Sequence, residues 1–413
     1  MRPPSEPPAS LLFLVADTGG GHRAAARAIS AELGRAYPGR FTPVFCDPLG
    51  GPGSSRVLRL FTGLYGPSVR LTPWLWGAAW HATNSRAAAA VLRWSLLALA
   101  RRPVAAAVAR HRPAAIVSLH PLTGAAATAA RAGLAPFTPV ATVVTDLITP
   151  HATWRLGAEG QLIVPTAAAG RRLLGERRTG RAVAAGLPVE AAFVRGPASA
   201  RERTALRRSL GLPERRFTVV LTGGGEGCGG LTRRARTLLR RCGDVQVVAI
   251  CGRNQRLRRR LDRLAERCGG RLIVRGFVGD MADWMRCADV LAGKAGPGTI
   301  AEATCCGAPL LLTSRLPGQE RGNTGYVTSA GAGRYVPAAR ALAAEVTRLR
   351  ADPAALDAMR AASAQLARPT ATTTIATLLA NLAGAPGKDT PGIVKDPGDR
   401  GDHNPSASAL AHA

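Results

Sequence analysis

Val290-Leu291-Ala292-Gly293-Lys294-Ala295-Gly296-Pro297-Gly298-Thr299-Ile300-Ala301-Glu302-Ala303 runs from a short apolar segment, through glycines, into a small-residue pattern of helical type. The other half of the chain opens in the same way. Leu11–Asp17 is followed by Thr18-Gly19-Gly20-Gly21-His22 and then by the helical pattern Arg23–Leu33. A strand that turns through glycines into a helix leaves N–H groups unpaired at the positive end of the helix dipole, where phosphate or a developing oxyanion binds. One such turn in each half points to an α/β protein with two doubly wound lobes facing one cleft.

The 413 residues are enough for two domains, each with its own core. Hydrophobic residues at 46% and charged ones at 20% are those of a globular chain. The net charge of +29 favours anionic partners: a phospholipid surface, nucleic acid or a nucleotide. Lysine stands only at 294, 388 and 395, so 52 of the 55 basic residues are Arg. Paired Cys/His zinc spacings are absent and aromatics are only 4%, so neither a metal nor nucleic acid is expected. The eight cysteines form no C-x-x-C pair and read as buried thiols of a reducing, cytoplasmic compartment. Leu11–Ala16 is too short for a signal peptide. No apolar run reaches the ~18–20 residues of a membrane span; Ala87–Ala100 is shorter and carries Arg93.

Residues 1–10 are Pro-rich and expected to be disordered. Strands are expected at Leu11–Asp17, Phe41–Asp47, Ala114–Leu119, Val140–Thr145, Gln161–Val164 and Arg181–Ala185. After a break near 190–200, further strands are expected at Phe217–Leu221, Val245–Cys251, Leu272–Arg275, Val290–Ala292 and Pro309–Thr313. Helical patterns lie between them, which predicts a parallel sheet in each half. The first lobe covers 11–192 with an insertion at 55–110; the second covers 200–365. Residues 385–413, rich in Pro, Gly, Ser and Asp, read as a disordered tail.

Gly20 and Gly21 would hold an anion, and His22 at the first helical turn can take a proton from an attacking hydroxyl. The same His could be a surface helix cap. Gly19–Ala24 also fits G-x-G-x-x-A, with Asp47 ~20 residues further on where a ribose-binding acid would sit. Asp146 closes Val143-Val144-Thr145-Asp146 on the ligand-binding edge; it could orient His22 or cap a turn. Gly223, Gly224 and Gly225, directly after a strand, form a second phosphate-loop candidate. The Gly296–Thr299 segment, with Pro297 and Gly298, could hold a diphosphate while Glu302 binds a ribose diol; alternatively Thr299-x-x-Glu302 is a capping box. Gln319 and Glu320 could read sugar hydroxyls or lie on a solvated loop. Residues 55–110 carry Trp74, Trp76, Trp80 and Trp94 among eight Arg, which suits an anionic lipid surface or an ordinary helical insertion.

Assembled, these residues resemble the monogalactosyldiacylglycerol synthase and processive diacylglycerol glucosyltransferase family. They are more distantly similar to the N-acetylglucosaminyltransferase of the lipid-linked peptidoglycan precursor. The resemblance rests on Asp17–Ala24, Val144–Asp146, His151-Ala152-Thr153-Trp154, Gly186-Leu187-Pro188-Val189, Gly223–Gly227, Cys251–Asn254, Gly276–Val278, Lys294–Ala303 and Gly318–Asn323. It implies a twin-Rossmann (GT-B type) glycosyltransferase that inverts the anomeric centre. The second lobe would hold a UDP-sugar, with Glu302 on the ribose, Gly296–Thr299 on the diphosphate, and Gln319 and Glu320 on the sugar. The first lobe would hold a lipid acceptor such as diacylglycerol, with His22 as base and Asp146 nearby. It further implies a peripheral enzyme on the cytoplasmic face of a membrane, no cofactor besides the donor, and a helix over 366–384 that returns to the first lobe. The alternatives are a UDP-sugar epimerase on the same fold and transfer to a different acceptor.

Overall fold

Runs that are apolar on both faces become inner strands of parallel sheets, because helices cover such sheets on both sides. The computed structural model describes residues 7–16, 20–157, 160–176 and 182–385. The first sheet contains β1 (Ala9–Leu14), β2 (Phe41–Cys46), β3 (Ala115–Ser118), β4 (Val140–Val143), β5 (Gln161–Val164) and β6 (Ala182–Ala184), in the order β2-β1-β3-β4-β5-β6. The second contains β7 (Phe217–Thr222), β8 (Val245–Ile250), β9 (Leu272–Arg275), β10 (Val290–Lys294), β11 (Leu310–Ser314) and β12 (Gly333–Tyr335), in the order β12-β11-β10-β7-β8-β9. Every pairing is parallel. The winding reverses between β1 and β3 in one sheet and between β7 and β10 in the other. The loops leaving those four strands therefore flank the crevices in which doubly wound sheets bind ligands.

Most expected strands shift by one to three residues at an end, and two departures have a contact behind them. β1 starts inside the stretch 1–10 expected to be disordered, because the Ala9 N–H donates to the Arg40 carbonyl and Ala9 pairs with Phe41. β12 was not expected: it is three residues long, and its Gly333 lies so near Leu310 that a Cβ there would overlap the Leu310 carbonyl oxygen. The expected tail falls outside the described residues from 386 onward, and Ala385 itself is buried.

Among the described residues the first half holds α1 (Gly21–Ala36), α2 (Arg56–Leu71), α3 (Pro73–Thr83), α4 (Arg86–His111), α5 (Gly124–Leu134) and α6 (Ala167–Leu174). The second half adds α7 (Ala200–Ser209), α8 (Leu231–Arg241), α9 (Gln255–Ala265), α10 (Met281–Cys287), α11 (Pro297–Cys305), α12 (Arg321–Ser329), α13 (Ala339–Ala351), α14 (Pro353–Leu366) and α15 (Ala371–Leu382). α15 returns to the first sheet. Its Ile375 and Leu379 are buried with Leu11, Phe13 and Ile29, and the Thr373 hydroxyl donates to Glu32 at 2.9 Å. The helical insertion α2–α4 leaves Val57, Leu60, Leu64, Trp74, Leu75, Val91 and Trp94 exposed. No helix among the described residues is long and apolar enough to cross a membrane. All eight cysteines are free thiols.

Candidate active site between the lobes

Two helix N-termini sit at the switch points, and neither is closed by its own side chains. α1 enters through Gly20 at φ 78, a left-handed conformation that favours glycine. Among the described residues, a Cβ at Gly20 or Gly21 would meet nothing within 4 Å. α11 enters through Gly296 with Pro297 at its first position, and the Ile300 N–H already returns to the Gly296 carbonyl. Proline has no N–H, which leaves the Gly298 and Thr299 amides facing outward. Neither helix has an acid in its first turn to neutralise the dipole. Thr299 lies inside the helix, so the capping box with Glu302 does not form. Asp17, Thr18 and Gly19 lie outside the described residues.

His22 is half-buried, with Nδ1 2.8 Å from the Thr145 hydroxyl. Burial lowers its pKa to about 4, and a hydrogen bond with the Leu119 carbonyl only partly offsets that. The imidazole is therefore neutral at pH 7 and able to accept a proton. His120, unnoticed in the sequence, packs edge-on to it with ring centroids 4.8 Å apart. Burial, and then the proximity of His22, push the His120 pKa well down. Its Nδ1 accepts the Leu122 N–H at 3.2 Å, so its own proton sits on Nε2. The available signal was position: His120 directly follows the strand expected at Ala114–Leu119, on the same sheet edge as His22.

Asp146 does not contact His22 as expected. One carboxylate oxygen accepts the indole N–H of buried Trp154 at 2.7 Å, and the other accepts the Gln319 amide at 2.7 Å. Burial raises its pKa against the pull of these donors. The Gln319 bond crosses from lobe to lobe, and the Thr149 hydroxyl donates to the Gln319 carbonyl beside it. Gln319 is thus committed to Asp146 rather than free to face a sugar. Glu320 is also committed: it pairs with Lys294 at 2.7 Å and accepts the Leu316 N–H at 2.8 Å. α3 joins the same seam. Gly318, at φ 80, lies against the Trp80 ring, and Gly77 lies against Pro317.

The Gly223–Gly227 loop spends several amides on itself. Gly224 N–H donates to Thr222 Oγ1, Gly227 N–H to the Gly224 carbonyl and Cys228 N–H to the Gly223 carbonyl. A Cβ at Gly223 would overlap the Cys228 backbone, so this compact turn requires glycine. The Glu302 carboxyl accepts no hydrogen bond among the described residues; burial, and then the nearby Glu190, raise its pKa to about 8. Asp47 is no ribose ligand candidate. It accepts the Leu49 and Gly50 N–H groups and lies 3.6 Å from the Arg23 guanidinium. Contacts thus lead from His22 to Thr145, from its neighbour Asp146 to Gln319, and from Glu320 to Lys294 beside Gly296. Both open helix ends border one cleft. Among the described residues no cluster of His, Cys, Asp or Glu could hold a metal ion.

Residues 218–375 match the Glycosyltransferase family 28 C-terminal domain. The chain is 33% identical to monogalactosyldiacylglycerol synthase 1, chloroplastic, of Arabidopsis thaliana, over 88% of this chain and 69% of that protein. It is 33% identical to monogalactosyldiacylglycerol synthase, chloroplastic, of Spinacia oleracea, over 83% of this chain and 66% of that protein. Among solved structures, MurG of Acinetobacter baumannii aligns with TM-score 0.58 at 16% identity, covering 91% of this chain and all of that one. The UDP-GlcNAc 2-epimerase of Neisseria meningitidis aligns with TM-score 0.57 at 16% identity, over 90% of this chain and all of that one. These two likenesses establish the GT-B architecture, and the sequence relatives establish the lineage. With its two open helix ends on one cleft, this chain belongs to the monogalactosyldiacylglycerol synthase family of glycosyltransferases.

Proposed function

We propose that the chain moves a hexose from a UDP-sugar to the hydroxyl of a diacylglycerol-type lipid, with inversion, at the cytoplasmic face of a membrane. The observation that carries this reading is a neutral His22 on the same cleft as the open N-terminus of α11. His22 takes the proton of the attacking hydroxyl, and that oxygen forms the bond to the anomeric carbon. The donor's phosphate oxygen leaves with the bonding pair. The Gly298 and Thr299 amides and the helix dipole stabilise its charge, so the reaction needs no metal or other cofactor. Glu302, free of other hydrogen bonds among the described residues, meets the ribose. Gly20 and Gly21 border the acceptor. The Gly223–Gly225 turn braces the diphosphate side. Gln319 and Glu320 reach the sugar only through a change of partners. The exposed Val57, Leu60, Trp74 and Trp94, with the arginines around them, suit an anionic membrane surface.

The test is transfer from a panel of UDP-hexoses to dioleoylglycerol in vesicles, with and without EDTA, beside His22→Ala. UDP binding is followed by calorimetry. Transfer that survives EDTA and is lost in the variant, while UDP still binds, is the expected result. Full activity in His22→Ala removes His22 as base. UDP binding without transfer from any donor removes the lipid acceptor.

A further inference from the structure

A groove of about 520 Å³ lies on the second lobe, along the exposed face of α8. Arg233, Arg236, Arg240 and Arg241 of α8, Arg260 of α9 and Arg340 of α13 line it, with no acidic residue among the lining. The first three recur at i, i+3 and i+7 and so share one helix face. None of the six pairs with a carboxylate among the described residues. Elsewhere in the lobe arginines find acids: Arg207 binds Asp289 at 2.6 Å, Arg208 Glu214 at 2.7 Å, Arg216 Asp244 at 2.7 Å and Arg348 Glu345 at 2.7 Å. The groove is thus a place where acids are missing rather than merely a sample of an Arg-rich chain. Gly230 starts α8 without a side-chain cap, and it too lines the groove.

We propose that this groove binds a compact, multiply phosphorylated solute. Guanidinium forks match phosphate oxygens two at a time, and a ligand with several phosphates meets several forks at once. The volume is that of a small-molecule site, commonly ~300–1,000 Å³. A bilayer fits less well. The exposed large apolar side chains that would enter lipid lie mainly on α2–α4 of the first lobe, whereas those of the second lobe, Phe277 and Tyr335, do not line the groove. This inference is independent of the transfer reaction.

The test is calorimetry with sodium tripolyphosphate on wild type, on Arg236→Ala/Arg240→Ala, and on Arg256→Ala/Arg259→Ala. The last pair removes the same charge from exposed positions outside the groove lining. Each guanidinium removed takes charge-assisted hydrogen bonds from the phosphates, so the groove pair should weaken one-to-one binding at least about tenfold and the control pair less than about twofold. Melting curves matching wild type exclude misfolding. Equal weakening by both pairs reduces the effect to net charge and overturns the proposal. Competition between tripolyphosphate and UDP overturns it by moving the anion to the cleft. If Arg236→Ala/Arg240→Ala loses binding to phosphatidylglycerol-containing vesicles but keeps tripolyphosphate, the groove is a lipid contact and the proposal also fails.

Discussion

Varying the pH of the transfer assay tests the state of His22 directly. A histidine at its ordinary pKa of 6.5 is about three-quarters protonated at pH 6 and could serve as base in only a quarter of molecules. Burial holds His22 at about 4, so at pH 6 only about 1% carries the extra proton. The change from 6.5 to about 4 lowers the proton affinity roughly 300-fold. If His22 is the base, kcat/KM for the lipid acceptor should stay flat from about pH 8 to about pH 5 and fall only below that. The assay is initial-rate transfer into vesicles across this range, with near-UV circular dichroism at each pH to confirm an intact fold. A fall with an apparent pKa of 6–7, on a protein still folded, would refute both the desolvated imidazole and its role.

Three further outcomes follow from the same geometry. With its pKa raised to about 8, Glu302 is mostly protonated at pH 7, so Glu302→Gln should keep UDP affinity within about threefold while Glu302→Ala loses about tenfold; equal losses in calorimetry would contradict the neutral form. Gly318→Ala would drive a Cβ into the Trp80 ring, at φ 80, and should cost about 1–3 kcal/mol in denaturant unfolding; an unchanged midpoint would show that the α3 seam is not tight. The folded-state pKa values of His22, His120 and His151 lie below 6.5, so the unfolded chain binds more protons and stability should fall as pH drops from about 6.5 through about 4. Glu302, raised instead, makes stability fall as pH rises from its ordinary range through about 8, which leaves a maximum between; a melting temperature that climbs steadily toward pH 4 would be incompatible with these buried histidines.

Eleven of the twelve described strands were legible because their apolar runs are continuous, most with glycine or proline near an end. Gln161–Val164 and Leu272–Arg275 match β5 and β9 residue for residue. The two glycine entries into α1 and α11 were legible for the same local reason. What stayed hidden is set by contacts distant in sequence. Asp146 reads as an aid to His22 because both sit at strand ends, yet Gln319, 173 residues away, takes one of its oxygens. Glu320 resembles a free sugar ligand until Lys294 is seen 2.7 Å from it. The Thr299-x-x-Glu302 pattern is a valid capping box in isolation. It fails here because proline at position 297 starts the helix before Thr299.

The return of α15 also bears on how the chain reaches its native state during synthesis. Leu11, Phe13 and Ile29 emerge from the ribosome first, but the helix that covers them, with Ile375 and Leu379, emerges among the last described residues. Until then that face of the first lobe has no partner, so the lobe made first is completed last. The second lobe, whose core clusters hold no residue before Leu147 and end at Leu366, can close while the first still waits. Removal of a few residues around 371–382 would therefore damage the beginning of the protein rather than its end, and would leave an apolar face open to aggregation.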